Sequence, residues 1–245
     1  LAAHAPGLPV LVGPDRGVVG MRAVSAFGAQ ILVLDDGFHH HRLARDLELL
    51  CFDGVAGLGN RRVLPRGPLR EFPSALRLAD ALAVIEGPLR EADEALLARF
   101  APDARRFEVK RRPVGVRRLA GGEWGPPQDL AGAEVGLLSG IAQPDSFRRT
   151  VESLGAQVIA ERRFPDHHRY RERDLRSLEK EAPIWLTTEK DAVKILPSWP
   201  GGADLRVVSI EIVVKDGDGL CDWLEDRLRE QPIGRDAAVP EIAYR

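Results

Sequence analysis

The densest group of chemically capable side chains in the sequence is Asp35-Asp36-Gly37-Phe38 followed by His39-His40-His41. Adjacent acids repel each other unless a cation or a basic group neutralises them. The pair therefore suggests a divalent metal beside a phosphate. The apolar run Ile31-Leu32-Val33-Leu34 comes just before it. Such a run reads as a strand buried on both faces, which would put the acids where open parallel sheets bind ligands. A plain turn, with Asp36-Gly37 making a local side-chain bond, accounts for the same residues without a ligand. Three consecutive histidines cannot share one face of a regular element, which favours a single His on a phosphate or base over a metal cluster.

Three further segments carry chemistry. In Phe164-Pro165-Asp166-His167-His168-Arg169-Tyr170, an acid beside an imidazole can orient it, and histidine titrates near neutrality, so it can move a proton. A polar turn explains the segment equally well. In Thr187-Thr188-Glu189-Lys190-Asp191-Ala192-Val193-Lys194, Thr188 is placed to cap a helix with Asp191 three residues on. Lys190 opposes the helix dipole there, and would answer an anion or Asp191. Ser139-Gly140-Ile141-Ala142-Gln143-Pro144 is a tight strand-to-helix turn that lacks the G-x-S-x-G order of a serine hydrolase. No G-x-x-x-x-G-K-[ST] phosphate loop occurs in the 245 residues.

These segments need an alternating α/β framework. Strands are predicted at 9–12, 30–34, 47–52, 81–85, 134–138, 157–160, 184–186 and 207–210. Helices are predicted at 18–27, 74–78, 91–100, 144–154, 172–181 and 219–229. A long Gly/Pro/Arg-rich loop over 57–71 reads as functional. Around 105–119 the pattern changes to exposed alternation about Pro113, as in a connector between two lobes. The tail from Pro232 reads as loose and the opening Leu1-Ala2-Ala3-His4 as mid-helix, as in a fragment.

Composition sets limits. A net charge of -2, from 35 basic and 37 acidic residues, gives no bulk drive towards nucleic acid. Arginine dominates the basic clusters, which suits a bidentate grip on phosphate or carboxylate. Two cysteines, Cys51 and Cys221, make no disulfide framework and read as buried thiols of a reducing compartment. No apolar run approaches a membrane span.

Six motifs stand in register along nearly the whole chain: Asp35-Asp36-Gly37-Phe38; His40-x-Arg42-Leu43-Ala44-Arg45-Asp46; Gly59-Asn60 with Leu64-Pro65-x-Gly67-Pro68-Leu69-Arg70-Glu71; Gly140-Ile141-Ala142-x-Pro144-x-x-Phe147; Phe164-Pro165-Asp166-His167-His168; and Thr187 to Lys194. This succession resembles the tetraacyldisaccharide 4'-kinase family. The resemblance implies an α/β fold, a P-loop-kinase-like α/β/α sandwich of two lobes joined by a strand-like hinge, with the first lobe incomplete. The lobes would be 1–106, with 217–245 returning to it, and 121–216, with 107–120 as hinge.

It implies ATP- and Mg²⁺-dependent phosphorylation of the 4'-hydroxyl of a lipid A disaccharide precursor, at the cytoplasmic face of the inner membrane of Gram-negative bacteria. By motif, Asp35 and Asp36 take the metal, and with Gly37 and His40 the nucleotide side. His167, with Asp166, supports the catalytic base. Asn60, Arg61, Arg70, Glu71 and Lys190 line the substrate site. The family's membrane-associating N-terminal helix, its phosphate loop and its general-base aspartate would precede Leu1. Where the family usually reads Gln and Arg, this chain has His39 and His41. Two other readings compatible with the residues are a non-catalytic glycolipid- or partner-binding module and a metal-dependent phosphohydrolase using Asp35, Asp36 and His167.

Overall fold

The computed structural model describes residues 7–199 and 202–230, so the opening Leu1–His4 and the tail from Pro232 lie outside the described residues. The chain divides into two compact units. Unit 1 comprises residues 1–108 and 216–245, and unit 2 residues 109–215.

In unit 1 the chain forms α1 (Arg16–Phe27), β1 (Leu49–Asp53), a 3₁₀ turn (Pro73–Leu78), β2 (Ala81–Ile85) and α2 (Glu91–Phe100), and α5 (Gly217–Glu230) returns to it. Asp15 starts α1 because its carboxylate accepts the Gly17 and Val18 N–H groups. Gly28, at φ 63°, ends it in the left-handed conformation. β1 and β2 run parallel, Leu49 opposite Ala81. Their core joins Phe52, Leu76, Leu82 and Leu97, and on the α5 side Trp223 meets Phe107 with ring centroids 5.9 Å apart.

Two predicted strands are absent. Residues 9–12 and 30–34 form no ladder among the described residues. Ile31, Leu32 and Val33 are exposed, Val33 at 89%. The two acids therefore follow an exposed, irregular segment, not a doubly buried strand. The physical reason is that no neighbouring strand among the described residues receives this run; apolar composition signals burial only where a partner exists. Val18, Met21, Val24 and Phe27 of α1 are exposed too, on several faces of a helix whose pattern suits a covered position. Both cysteines are exposed rather than buried, Cys51 on an uncovered part of β1 and Cys221 on α5, which has no buried residue.

Unit 2 is built on a mixed sheet with strand order β3-β7-β6-β4-β5. Its strands are β3 (Arg105–Arg118, entering the unit at Val109), β4 (Glu134–Ser139), β5 (Gln157–Arg163), β6 (Ile184–Thr188) and β7 (Asp204–Val214), with α3 (Pro144–Glu152) and the one-turn α4 (Glu189–Ala192). β4, β5, β6 and β7 are parallel, and β3 is antiparallel to β7. The two predicted pieces around Pro113 are one strand, with a register shift between Pro113 and Gly115 that absorbs the residue lacking an N–H.

The interior strands are buried on both faces, as parallel strands are. Val135, Leu137 and Leu186 pack with Phe147 and Val151 on one side. Leu138 and Trp185 pack with Leu175, Leu178 and Leu205 on the other. The predicted helix over 172–181 is two 3₁₀ turns, Glu172–Leu175 and Leu178–Lys180, because Ser177 between them sits at φ 63° and breaks the helical path.

Trp185 is fully buried and donates its indole N–H to the Leu178 carbonyl at 2.7 Å. Gly136 lies opposite it in the ladder, and a Cβ there would meet the indole at 2.6 Å. Gly136→Ala should lower stability by about 1–3 kcal/mol through overpacking, read as a fall in the urea midpoint. An unchanged midpoint would contradict this packing.

Candidate functional site

In unit 2 the loops leaving β4, β5 and β6 meet at the carboxyl ends of parallel strands, the usual ligand edge of open α/β sheets. Their junction is Asp191, which is completely buried. One carboxylate oxygen accepts the Gly140 N–H at 2.9 Å and the Thr188 hydroxyl at 3.1 Å. The other accepts Lys194 Nζ at 3.0 Å. Thr188 also accepts the Asp191 N–H, the capping contact expected from their spacing. The cation answering Asp191 is thus Lys194. Lys190 is exposed on the same edge, with no partner among the described residues.

The β5 loop splits its two histidines. His168 is held: its Nε2 lies 3.0 Å from Asp174, and its ring stacks on Phe164 at 4.4 Å and meets Tyr170 edge-on at 5.0 Å. Burial, and then the Asp191 charge, push the Tyr170 phenol far above its usual range. Burial pulls the Asp174 carboxyl up, but the His168 and Arg171 hydrogen bonds outweigh it and leave it below the carboxylate range. His167 stands in solvent: its side chain is 87% exposed and its φ is 59°. Its N–H donates to Asp166 Oδ1 at 2.9 Å, and its ring Nε2 lies 3.6 Å from Asp166 Oδ2. The fixed imidazole thus holds the loop, while the adjacent one stands in solvent beside an acid.

In unit 1, Asp35 and Asp36 lie in a turn, with Asp36 at φ 52°. Gly37 is buried there, and a Cβ would meet that of Leu34 at 2.7 Å. Asp36 Oδ2 accepts Arg70 Nη1 at 3.1 Å. The His40 carbonyl accepts Arg45 Nη1 at 2.6 Å, and Arg45 also pairs with Glu48. His39 and His41 both reach Glu71.

The loop over 57–71 is internally braced. Asn60 Nδ2 donates to the Arg66 carbonyl at 2.9 Å, and Asn60 Oδ1 accepts the Arg62 N–H at 3.1 Å. Arg61 Nε donates to Asp93 at 2.9 Å, and Asp93, 1% exposed, also accepts the Leu58 N–H. Asn60 and Arg61 thus shape this loop, while Arg70 and Glu71 tie it to the acid turn.

A magnesium ion needs one or two carboxylates and takes its remaining oxygens from phosphate and water. Asp35 and Asp36 suit that demand, since the Asp36 carboxylate is 67% exposed and held only by a surface arginine. Among the described residues, no three His, Cys, Asp or Glu side chains are grouped so as to hold a metal by themselves.

Asp93 and Asp174 carry no sequence signal that sets them apart. Asp93 sits among Glu91 and Glu94 in the first turn of α2, where acids are ordinary. In unit 1, a cavity of about 380 Å³, walled by Arg77, Phe100, Arg105, Trp223 and Arg227, lies by Asp80 at the amino end of β2.

Comparisons with known proteins bear on both units. Residues 1–229 match the sequence model of the tetraacyldisaccharide-1-P 4'-kinase family, LpxK. The chain is 43% identical over 234 residues to the tetraacyldisaccharide 4'-kinase of Anaeromyxobacter dehalogenans (strain 2CP-C), covering 91% of this chain and 62% of that protein. It is 38% identical over 234 residues to the Syntrophus aciditrophicus protein of the same name, covering 88% and 62%. A crystal structure of LpxK from Aquifex aeolicus, described as an "apo" form in complex with ATP, aligns with a TM-score of 0.58 at 27% identity. That alignment covers 86% of this chain and 62% of that one. The chain thus spans just under two thirds of the length of these relatives.

Asp191→Ala should cost about 3 kcal/mol or more, because it strands a buried N–H, a hydroxyl and a lysine at once. Equilibrium unfolding measures this, and a loss under about 1 kcal/mol would contradict the role of Asp191 as junction. Asp174 gives a pH prediction. A carboxyl lowered from its unfolded value of about 3.9 contributes stability above that pH and loses it as pH falls. Asp174→Asn should therefore flatten the acid limb of Tm against pH; an unaltered limb would argue against the His168 contact.

Proposed function

The chain belongs to the tetraacyldisaccharide-1-P 4'-kinase family, and on that premise we propose that the gene product containing it transfers the γ-phosphoryl group of ATP to the 4'-hydroxyl of a tetraacylated glucosamine disaccharide 1-phosphate, in lipid A synthesis. The observation that carries this reading is the family match over 229 residues together with the polar edge at β4, β5 and β6, where His167, Asp166 and Lys190 stand exposed.

The roles follow from chemistry. Asp35 and Asp36 would hold Mg²⁺, which when bound offsets phosphate charge. Gly37 keeps that turn tight, and His40 stands beside it on the nucleotide side. Asp166 orients the His167 imidazole, which supports the base that takes the sugar hydroxyl proton. Asn60 shapes the substrate-side loop, and Arg61 fastens it to Asp93. Arg70, Glu71 and Lys190 face the anionic disaccharide. Arginine suits its phosphate through a bidentate grip, and lysine suits it as a point charge.

The 245 residues contain no phosphate-cradling loop of the Gly-Lys-Ser/Thr kind. The proposed activity is therefore that of the whole gene product. Residues 107–120 are proposed as the hinge between the lobes 1–106, with 217–245, and 121–216. Among the described residues no helix is long and apolar enough to cross a membrane. The reading places the protein peripherally at the cytoplasmic face of the inner membrane, where its lipid substrate is presented.

The test is transfer of labelled phosphate from ATP to the purified disaccharide by the full-length gene product, and an inactive, folded protein would overturn the proposal. Within it, His167→Ala should lower kcat by about 10²-fold or more with little change in KM, since a proton-transfer role acts in the transition state. Unchanged turnover would remove the assignment. Asp36→Asn should raise the Mg²⁺ concentration needed for half-maximal rate, and an identical metal profile would exclude coordination by Asp36.

A further inference from the structure

His39 and His41 both turn towards Glu71. His41 Nε2 lies 2.8 Å and His39 Nδ1 3.5 Å from the same carboxylate oxygen, Oε1. The chain here runs through two successive turns, closed by the His40 N–H on the Gly37 carbonyl and the Leu43 N–H on the His40 carbonyl, and both rings reach one acid from them. The neighbouring residue, Arg70, is the one that donates to Asp36. Two contacts thus join the same two segments, 36–41 and 70–71. One of them depends on imidazoles, a group whose charge changes near neutral pH.

We propose that His39 and His41, when protonated, clasp Glu71 and thereby fix Arg70 against Asp36, and that the clasp loosens as they lose their protons. A protonated imidazole donates from both nitrogens whichever way it is assigned. A neutral one donates from only one of them, without charge assistance. His41 and His39 are the charged groups acting on Glu71, and they hold its carboxyl below the usual range, the His41 hydrogen bond being the largest cause. Asp36 and Arg70 are the charged groups of the adjoining contact. The ring of Phe38, 5.8 Å from His39, adds no charge. Closed, the clasp sets three cations against two acids, and open it leaves Arg70 alone against both. The His41 side chain is 55% exposed and Glu71 31%, so solvent screens the pair and the clasp is a gentle one. The inference rests on this geometry and is independent of the phosphoryl-transfer reading, since its test needs no activity.

NMR titration of the 245-residue chain between pH 5.5 and 8 tests it, following the histidine Cε1–H signals and the Arg70 and Glu71 amides. Glu71→Gln should lower the His41 midpoint, and the two amides should move with that midpoint in the parent chain. His41→Arg, a cation at every pH, should cut the amide shift change to less than half. A His41 midpoint untouched by Glu71→Gln, or Arg70 and Glu71 amides that titrate equally in His41→Arg, would overturn the proposal.

Discussion

The buried carboxylate of Asp191 is the constraint on which the rest of unit 2 depends. Three loops leave the sheet at the carboxyl ends of β4, β5 and β6. Loops normally carry their backbone donors into water. Here the Gly140 N–H and the Thr188 hydroxyl are turned inwards onto one charge, balanced by Lys194. Such a group is costly to bury and costly to remove. Its consequence is that the edge is rigid where it meets the core, while the outermost groups, His167 and Lys190, remain in solvent. The difference between His168 and His167 follows the same logic: one imidazole is held by Asp174, and its neighbour stands in solvent beside Asp166.

Unit 1 handles charge differently. At its rim the acids are exposed or half-buried and paired with similarly placed partners, Asp36 with Arg70 and Glu71 with His39 and His41. These pairs are weak individually, because solvent screens them. The strong anchor is the buried Asp93, which holds Arg61 and the Leu58 N–H and so fixes the base of the 57–71 loop. Rigid root and adjustable rim recur in both units, with a buried aspartate at each root.

Much of this was legible from residues alone. β2 and α2 have the predicted bounds, because Ala81–Ile85 is apolar and short, and Glu91–Phe100 has helical period with acids in its first turn. The capping pair Thr188 and Asp191 was visible as spacing, but the burial that gives Asp191 its weight was not. The misplaced strand at 30–34 shows the limit: apolar composition tells what a segment prefers, and only the neighbours decide whether the preference is met. The helix expected over 172–181 failed on one residue, Ser177, whose left-handed backbone no periodicity reveals. The motif resemblance found the segments, and the structure showed which member of each is braced and which is exposed.

The central proposal is that a phosphorylated disaccharide is taken up by the exposed groups of the β4–β6 edge and, considered separately, by those of the 57–71 loop. The most direct measurement is a map of amide shifts as the acylated disaccharide 1-phosphate, in detergent below its micellar concentration, is titrated into the chain. The account predicts shifts at Gly140, His167, Lys190 and from Asn60 to Glu71. Shifts confined to the Arg77–Arg227 cavity, with the β4–β6 edge silent, would contradict it.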